Sequence, residues 1–253
     1  MKEDFDVNLW YDSFREEEKT ILARLRSGAE PIIAAEYNLY LANVAFAYYE
    51  ICINRNYKNA QNTFYKAAMV AVQSIKIPRS RESVPVEAYF PYIFTVFLSG
   101  NKILINYFLS EKVFTVGYEK YGGYYLLKTI QSVFKKDMYD AGHWLERFEK
   151  FTNNKWKAGK NFVIFFRGII ASDMIMINEG IKYYLKRRTT TFYFLSGCFA
   201  LEAAFLMKMA YLLNINIDID SSYVPLELVR NNPLESYEGY DFFKAIEEYM
   251  IPG

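Results

Sequence analysis

Residues 89–109 read YFPYIFTVFLSGNKILINYFL, and how this stretch is divided decides the fold class. Its length is close to the roughly 20 apolar residues that a membrane-crossing helix needs. Pro91, Gly100, Asn101, Lys102 and Asn106 interrupt it. Proline inside a helix removes a backbone donor and clashes with the preceding turn. Charged and amide side chains at mid-depth are costly in lipid. The stretch therefore reads as two buried helices joined at Ser99-Gly100, and the chain as a soluble, cytosolic protein. The start, MKEDFDVNLWYDSF at 1–14, is acidic and has no apolar segment of the secretory kind.

The same helical spacing extends in both directions. A first amphipathic helix is expected over 6–27, stopping at Ser27-Gly28 before Pro31. Further helices are expected over 32–54, 57–76, 86–98, 101–111, 124–135, 138–153, 156–171, 173–188, 191–213 and 238–249. The segment 77–85, with two prolines and alternating charge, is the clearest loop, and a subdivision near 77–87 stays open. Ser172 before Asp173 reads as an N-cap with an acid in the first turn. Lys186, Arg187 and Arg188 place cations in a last turn. The four residues IDID at 217–220 alternate like a strand but are too few to decide. Residues 32–54 and 57–76 form a repeat-like helical hairpin, yet no fixed period continues beyond them. The expectation is one all-α domain over 1–253: an irregular bundle of roughly nine to eleven antiparallel helices.

Composition excludes some function classes. A net charge of +1 lacks the basic excess of a dedicated nucleic-acid binder. The aromatic share of 19% falls mostly at core spacing and reads as compositional bias rather than a stacking surface. Charge is segregated, however. Residues 1–18 hold seven acids against two bases, residues 214–250 eight acids against two bases, and residues 145–188 ten bases against four acids. Acidic ends around a basic middle either pair internally or present a charged face. The two cysteines, Cys52 and Cys198, lie in apolar runs and read as buried free thiols of a reducing compartment.

Catalytic patterns are scarce. His143 is the single histidine, so no zinc set can be assembled with it. Asp140 and Glu146 stand three residues to either side and could orient it as a base, an arrangement equally common on a solvated helix face. Phosphate-binding glycine patterns and nucleophile elbows are absent. Asp137, Asp140, Glu146 and Glu149 interleave with bases as a salt-bridged surface does. No catalytic, metal or cofactor residue is assigned. Arg167 in NFVIFFRGIIA and Glu202 in FLSGCFALEAAFLMKMA are charges in apolar surroundings. Each is either part of a buried pair or on its helix's one wet stripe, and a structural role is favoured.

The C-terminal third, FFRGIIASDMIMINEGIKYYLKRR followed by FYFLSGCFALEAAFLMKMAYLLNINIDIDSSYVPLELV, resembles the immunity protein 49 family of bacterial polymorphic toxin systems. The family's step before an amphipathic helix corresponds to Ser172-Asp173. Its acidic, Tyr-Leu-Pro-type ending corresponds to Asp218 through Pro225 and Leu228, with Val224 in place of leucine. NLYLANVAFAYYEI, NAQNTFYKAAMVAV and SGNKILINYFL follow the family's helix order, and coverage is about 35–230. A polymorphic nuclease immunity family, which carries a comparable Glu-Ala-Ala helix, acidic loop and Tyr-Pro step, is the second resemblance. Both imply a non-enzymatic protein that binds and neutralises a cognate toxin protein, a nuclease among the candidates, in the cytosol. No direct nucleic-acid or membrane contact, and no cofactor, is implied. Tyr223 and Pro225 read as a chain-terminating turn. The acids Asp218, Asp220, Glu227, Glu235, Glu238 and Asp241 are the partner-binding candidates, chosen for charge and position. Two other readings stay open: a helical scaffold with a groove lined by Tyr37, Tyr40 and Phe64, and an enzyme built on His143.

Overall fold

The computed structural model describes residues 7–28, 32–76, 89–110, 113, 122–187, 197–230 and 232–241. Its helices are α1 (Val7–Arg26), α2 (Ile32–Tyr49), α3 (Tyr57–Lys76), α4 (Tyr89–Ser99), α5 (Lys102–Leu109) and α6 (Gly122–Phe134). They continue with α7 (Met138–Lys155), α8 (Lys160–Ala171), α9 (Met174–Arg187), α10 (Leu201–Leu212) and α11 (Leu226–Arg230). A π-helical turn, Glu50–Asn54, extends α2. Among the described residues there is no strand, and the architecture is a single all-α bundle.

The stretch 89–109 divides where its polar residues fall. Pro91 sits in the first turn of α4, where its missing N–H has no helical partner to lose. Gly100 takes the left-handed φ of 66° that a side chain would strain. Asn101 then caps α5, its Oδ1 accepting from the Leu104 amide at 2.9 Å. Residues 90–100 are all buried, so α4 is a core helix. Among the described residues, no helix is long and apolar enough to cross a membrane.

Helices apolar on every side must be surrounded by others. This holds for α4 and for α10, whose residues 201–210 are likewise buried. The two pack on each other. α3 and α6 also contact α4, and α9 and α11 contact α10. Chain neighbours pair in turn: α1 with α2, α2 with α3, α6 with α7, α7 with α8 and α8 with α9. The short connections make these neighbours antiparallel.

The α8–α9 hairpin turns one residue later than its sequence suggests. Ser172 is the left-handed C-cap of α8, at φ 55°. Asp173 is the cap of α9, its Oδ1 accepting from the amides of Ile175 at 2.8 Å and Met176 at 3.3 Å. Ser172 cannot cap α9 because its left-handed backbone closes α8; Asp173 takes the cap, where its charge also suits the positive helix end. Gly168 lets the helices touch: a Cβ there would stand 2.7 Å from the Ile177 nitrogen and 2.9 Å from the Asp173 carbonyl oxygen. Both are backbone atoms that cannot step aside. Gly168→Ala is expected to destabilise the fold by about 1–3 kcal/mol, read as a lower urea midpoint at unchanged slope.

Three further expectations need correction. The helix expected over 191–213 is not continuous: α10 begins at Leu201, and 191–196 lie outside the described residues. Residues 197–200 turn irregularly, and the Ala200 amide donates to the Tyr223 carbonyl at 3.0 Å instead of joining a helix. Glu238–Asp241 are also irregular, and 242–249 lie outside the described residues, as do 77–85 and Arg188. The third concerns the cysteines, which are not free thiols. Cys52, in the π-helical turn, and Cys198, in the turn before α10, form a disulfide with Cα atoms 5.9 Å apart and 146 residues of separation. Neither sits inside a regular helix, which is what lets the two sulfurs meet.

Candidate functional site

The acidic residues chosen from sequence lie on a strap that leaves α10 and crosses one end of the bundle. At its start Asn214 takes φ 59°, and the Ile215 amide donates to the Ala210 carbonyl at 2.9 Å, closing the helix. Along IDID the chain has no regular secondary structure, with Ile217 and Ile219 buried and Asp218 and Asp220 exposed. The alternation is thus that of a chain lying on a core, without a strand partner among the described residues. A serine turn follows, in which the Tyr223 amide donates to Ser221 Oγ at 3.2 Å. Tyr223 is half-buried against the core, as its structural reading requires. Pro225 does not terminate the structure: its carbonyl accepts from the Leu228 amide at 3.1 Å and opens α11. A residue with no N–H and a fixed φ is well placed at a helix start.

Beyond α11 two tyrosines fasten residues 232–241 across the first four helices. Tyr237 donates to the Ser99 carbonyl at 3.0 Å and accepts from the Leu234 amide at 3.1 Å and from Gln61 Nε2 at 3.2 Å. Burial pushes its hydroxyl pKa up. Tyr240 donates to Glu18 and accepts from Asn43 Nδ2 at 2.7 Å. Burial first, and then the Glu18 carboxylate, hold its pKa far above the ordinary tyrosine value. Between them the Glu238 amide donates to Asn62 Oδ1 at 2.9 Å. Tyr237→Phe removes the bonds to the Ser99 carbonyl and the Leu234 amide, while Gln61 keeps the Asn232 carbonyl at 3.1 Å. It is expected to cost about 1–3 kcal/mol, measurable by urea unfolding.

The strap borders a trough. A cleft of about 490 Å³ lies between Arg55 and Tyr57 on one wall and Asp220, Ser221, Pro225, Glu227 and Arg230 on the other. A cavity of about 590 Å³ continues it along Asn54–Lys58 to Glu227. A third, of about 390 Å³, shares Leu226 and Arg230 and runs under Met207, Tyr211 and Ile217. Sequence reasoning did not single out Arg55, Tyr57 or Arg230, because nothing local marks the end of α2 as a neighbour of α11.

The six candidate acids are all exposed but do not form one cluster. Asp220 and Glu227 meet at the trough. Asp218 precedes them on the strap, and Glu235 and Glu238 follow on the tyrosine-fastened segment. Asp241 pairs with Arg26 at 3.8 Å. Arg167 and Glu202 are not a pair. Arg167 is on the wet side of α8 and bonds Glu149 at 2.6 Å, an exposed bridge worth little. Glu202 is fully buried in the first turn of α10, where the helix dipole favours a carboxylate. His143 is exposed, and Asp140 is committed elsewhere, accepting from Ser132 Oγ at 2.5 Å and Trp144 Nε1 at 3.0 Å. Tyr40 and Phe64 are buried in the core while Tyr37 is exposed, so they line no groove. Among the described residues, no group of histidine, cysteine and carboxylate side chains is placed to hold a metal ion. Comparison with known proteins finds no matching family model, no matching curated protein and no matching solved structure.

Proposed function

We propose that this chain is a non-enzymatic immunity protein that binds a cognate toxin protein in the cytosol and neutralises it. The observation that carries the reading is the strap. Asp218, Asp220, Glu227, Glu235 and Glu238 are exposed on a backbone held down by buried isoleucines and by Tyr237 and Tyr240. Carboxylates fixed in this way face a basic partner without an ordering cost at the moment of binding. A toxin that acts on nucleic acid would present such a basic cleft, so a nuclease is one candidate partner. The resemblance of 35–230 to immunity families supports the same reading. A standard contact would bury roughly 800 Å² on each side.

The quadruple variant Asp218→Asn, Asp220→Asn, Glu235→Gln, Glu238→Gln tests the reading. These side chains are exposed, so folding stability is expected to stay within about 0.5 kcal/mol. Association with the toxin domain is expected to slow by about tenfold or more at low salt and to lose most of its salt dependence. An unchanged association rate would sink the acidic-strap account.

A further inference from the structure

The Cys52–Cys198 disulfide joins the two walls of the trough. One wall, Asn54–Lys58, begins two residues after Cys52. The other wall, Asp220–Arg230, is tied to Cys198 two residues further along, where the Ala200 amide donates to the Tyr223 carbonyl. The chain has two cysteines, so this is its one cross-link. Both sulfurs sit outside regular α-helix. Cys52 lies in a π-helical turn that ends at Arg55 in the left-handed region, and Cys198 lies in the irregular turn 197–200. Both residues are half-buried, within reach of a small thiol reagent. Between them Phe199 is fully buried, its ring 5.1 Å from Tyr48 and 6.4 Å from Phe64.

We propose that Cys52 and Cys198 form a reversible thiol–disulfide fastener that sets how firmly the trough walls are held together. Disulfides in reducing compartments are characteristically transient and redox-sensing. Oxidised glutathione is a sufficient oxidant. One cysteine thiolate attacks it and releases a first glutathione. The second cysteine thiolate then displaces the other glutathione from the mixed disulfide. Two protein thiols are oxidised, one glutathione disulfide is reduced to two thiols, and the protein's two protons pass to the released glutathione. Any effect on toxin capture rests on the immunity reading, and the redox-sensing role on the cytosolic location that reading assigns; the link between the disulfide and the trough walls rests on neither.

Hydrogen exchange on the full chain, equilibrated in oxidised or reduced glutathione buffer with thiols counted by mass, needs no partner. Reduction is expected to speed exchange about tenfold or more at 52–58, 197–200 and 220–230, and to leave α4 and α6–α9 unchanged. The double variant Cys52→Ser, Cys198→Ser is expected to exchange like the reduced protein in both buffers. The proposal is overturned by equal exchange in the two wild-type states, by faster exchange spread evenly over α4 and α6–α9, or by a double variant that still responds to the buffer. If the double variant does not fold, the two wild-type states decide alone. A protein that passes this test yet binds no toxin refutes the immunity reading and leaves the fastener standing.

Discussion

Phe94→Ala is expected to cost about 3–5 kcal/mol of folding stability, the largest single-residue effect anticipated in this chain. Phe94 is fully buried in α4. Its ring lies 5.4 Å from Phe162 of α8 and 4.6 Å from Phe205 of α10, so one side chain joins three helices. Phe205 is in turn 5.6 Å from Phe97. The truncation thus opens a cavity inside an aromatic cluster whose members are locked by one another. Collapse into that space would require helix movement, which places the expected cost toward the upper part of the range. Urea unfolding reads the effect. A loss below about 1 kcal/mol would mean that α4 is not the centre of the bundle.

Stability is also expected to rise with pH between about 8 and 10, by about 2–3 kcal/mol. The source is Lys208 on α10, 2% exposed, where burial lowers its pKa from the ordinary 10.5 to about 8. Between those values the unfolded lysine keeps a proton that the folded one has shed. The unfolded state therefore binds more protons, and raising the pH favours folding. Below pH 8 the folded protein carries the cost of a buried ammonium, offset in part by the Tyr211 ring 5.5 Å from its nitrogen. Above about 10 the gain reverses, because the hydroxyls of Tyr40, Tyr184 and Tyr240 have folded pKa values raised chiefly by burial and ionise more readily once unfolded. Lys208→Met keeps the stem and removes the charge. It is expected to flatten the pH 8–10 rise and to stabilise the protein at pH 7. Urea midpoints of the two proteins across this range make the comparison, and a wild type whose stability is flat from pH 8 to 10 would contradict it.

The helices were legible because their apolar residues recur at helical spacing, and the division of 89–109 because Pro91, Gly100 and Asn101 act locally. What escaped the sequence reading was set by partners distant in the chain. Cys52 and Cys198 look like core residues in two apolar runs until the π-helical turn and the turn at 197–200 bring them together. Tyr237 meets Gln61 and Ser99 across 176 and 138 residues, which no periodicity announces. Asp173 rather than Ser172 caps α9 because the turn shifts by one residue, a distinction that depends on backbone angles. The acids of the strap were identifiable from charge and position, and their exposure follows from alternation with Ile217 and Ile219. Their opposing wall, Arg55 and Tyr57, follows from the pairing of α3 with α11 and had no local mark.

The most direct test of the central claim is co-expression of this chain with any toxin-like reading frame found beside its own, scored by growth and then by co-purification. The account predicts that growth is restored by the wild-type chain, that the two proteins leave the column as one complex, and that the strap-neutralised quadruple variant protects less well. Growth arrest undiminished by the chain, with no complex recovered, would contradict it.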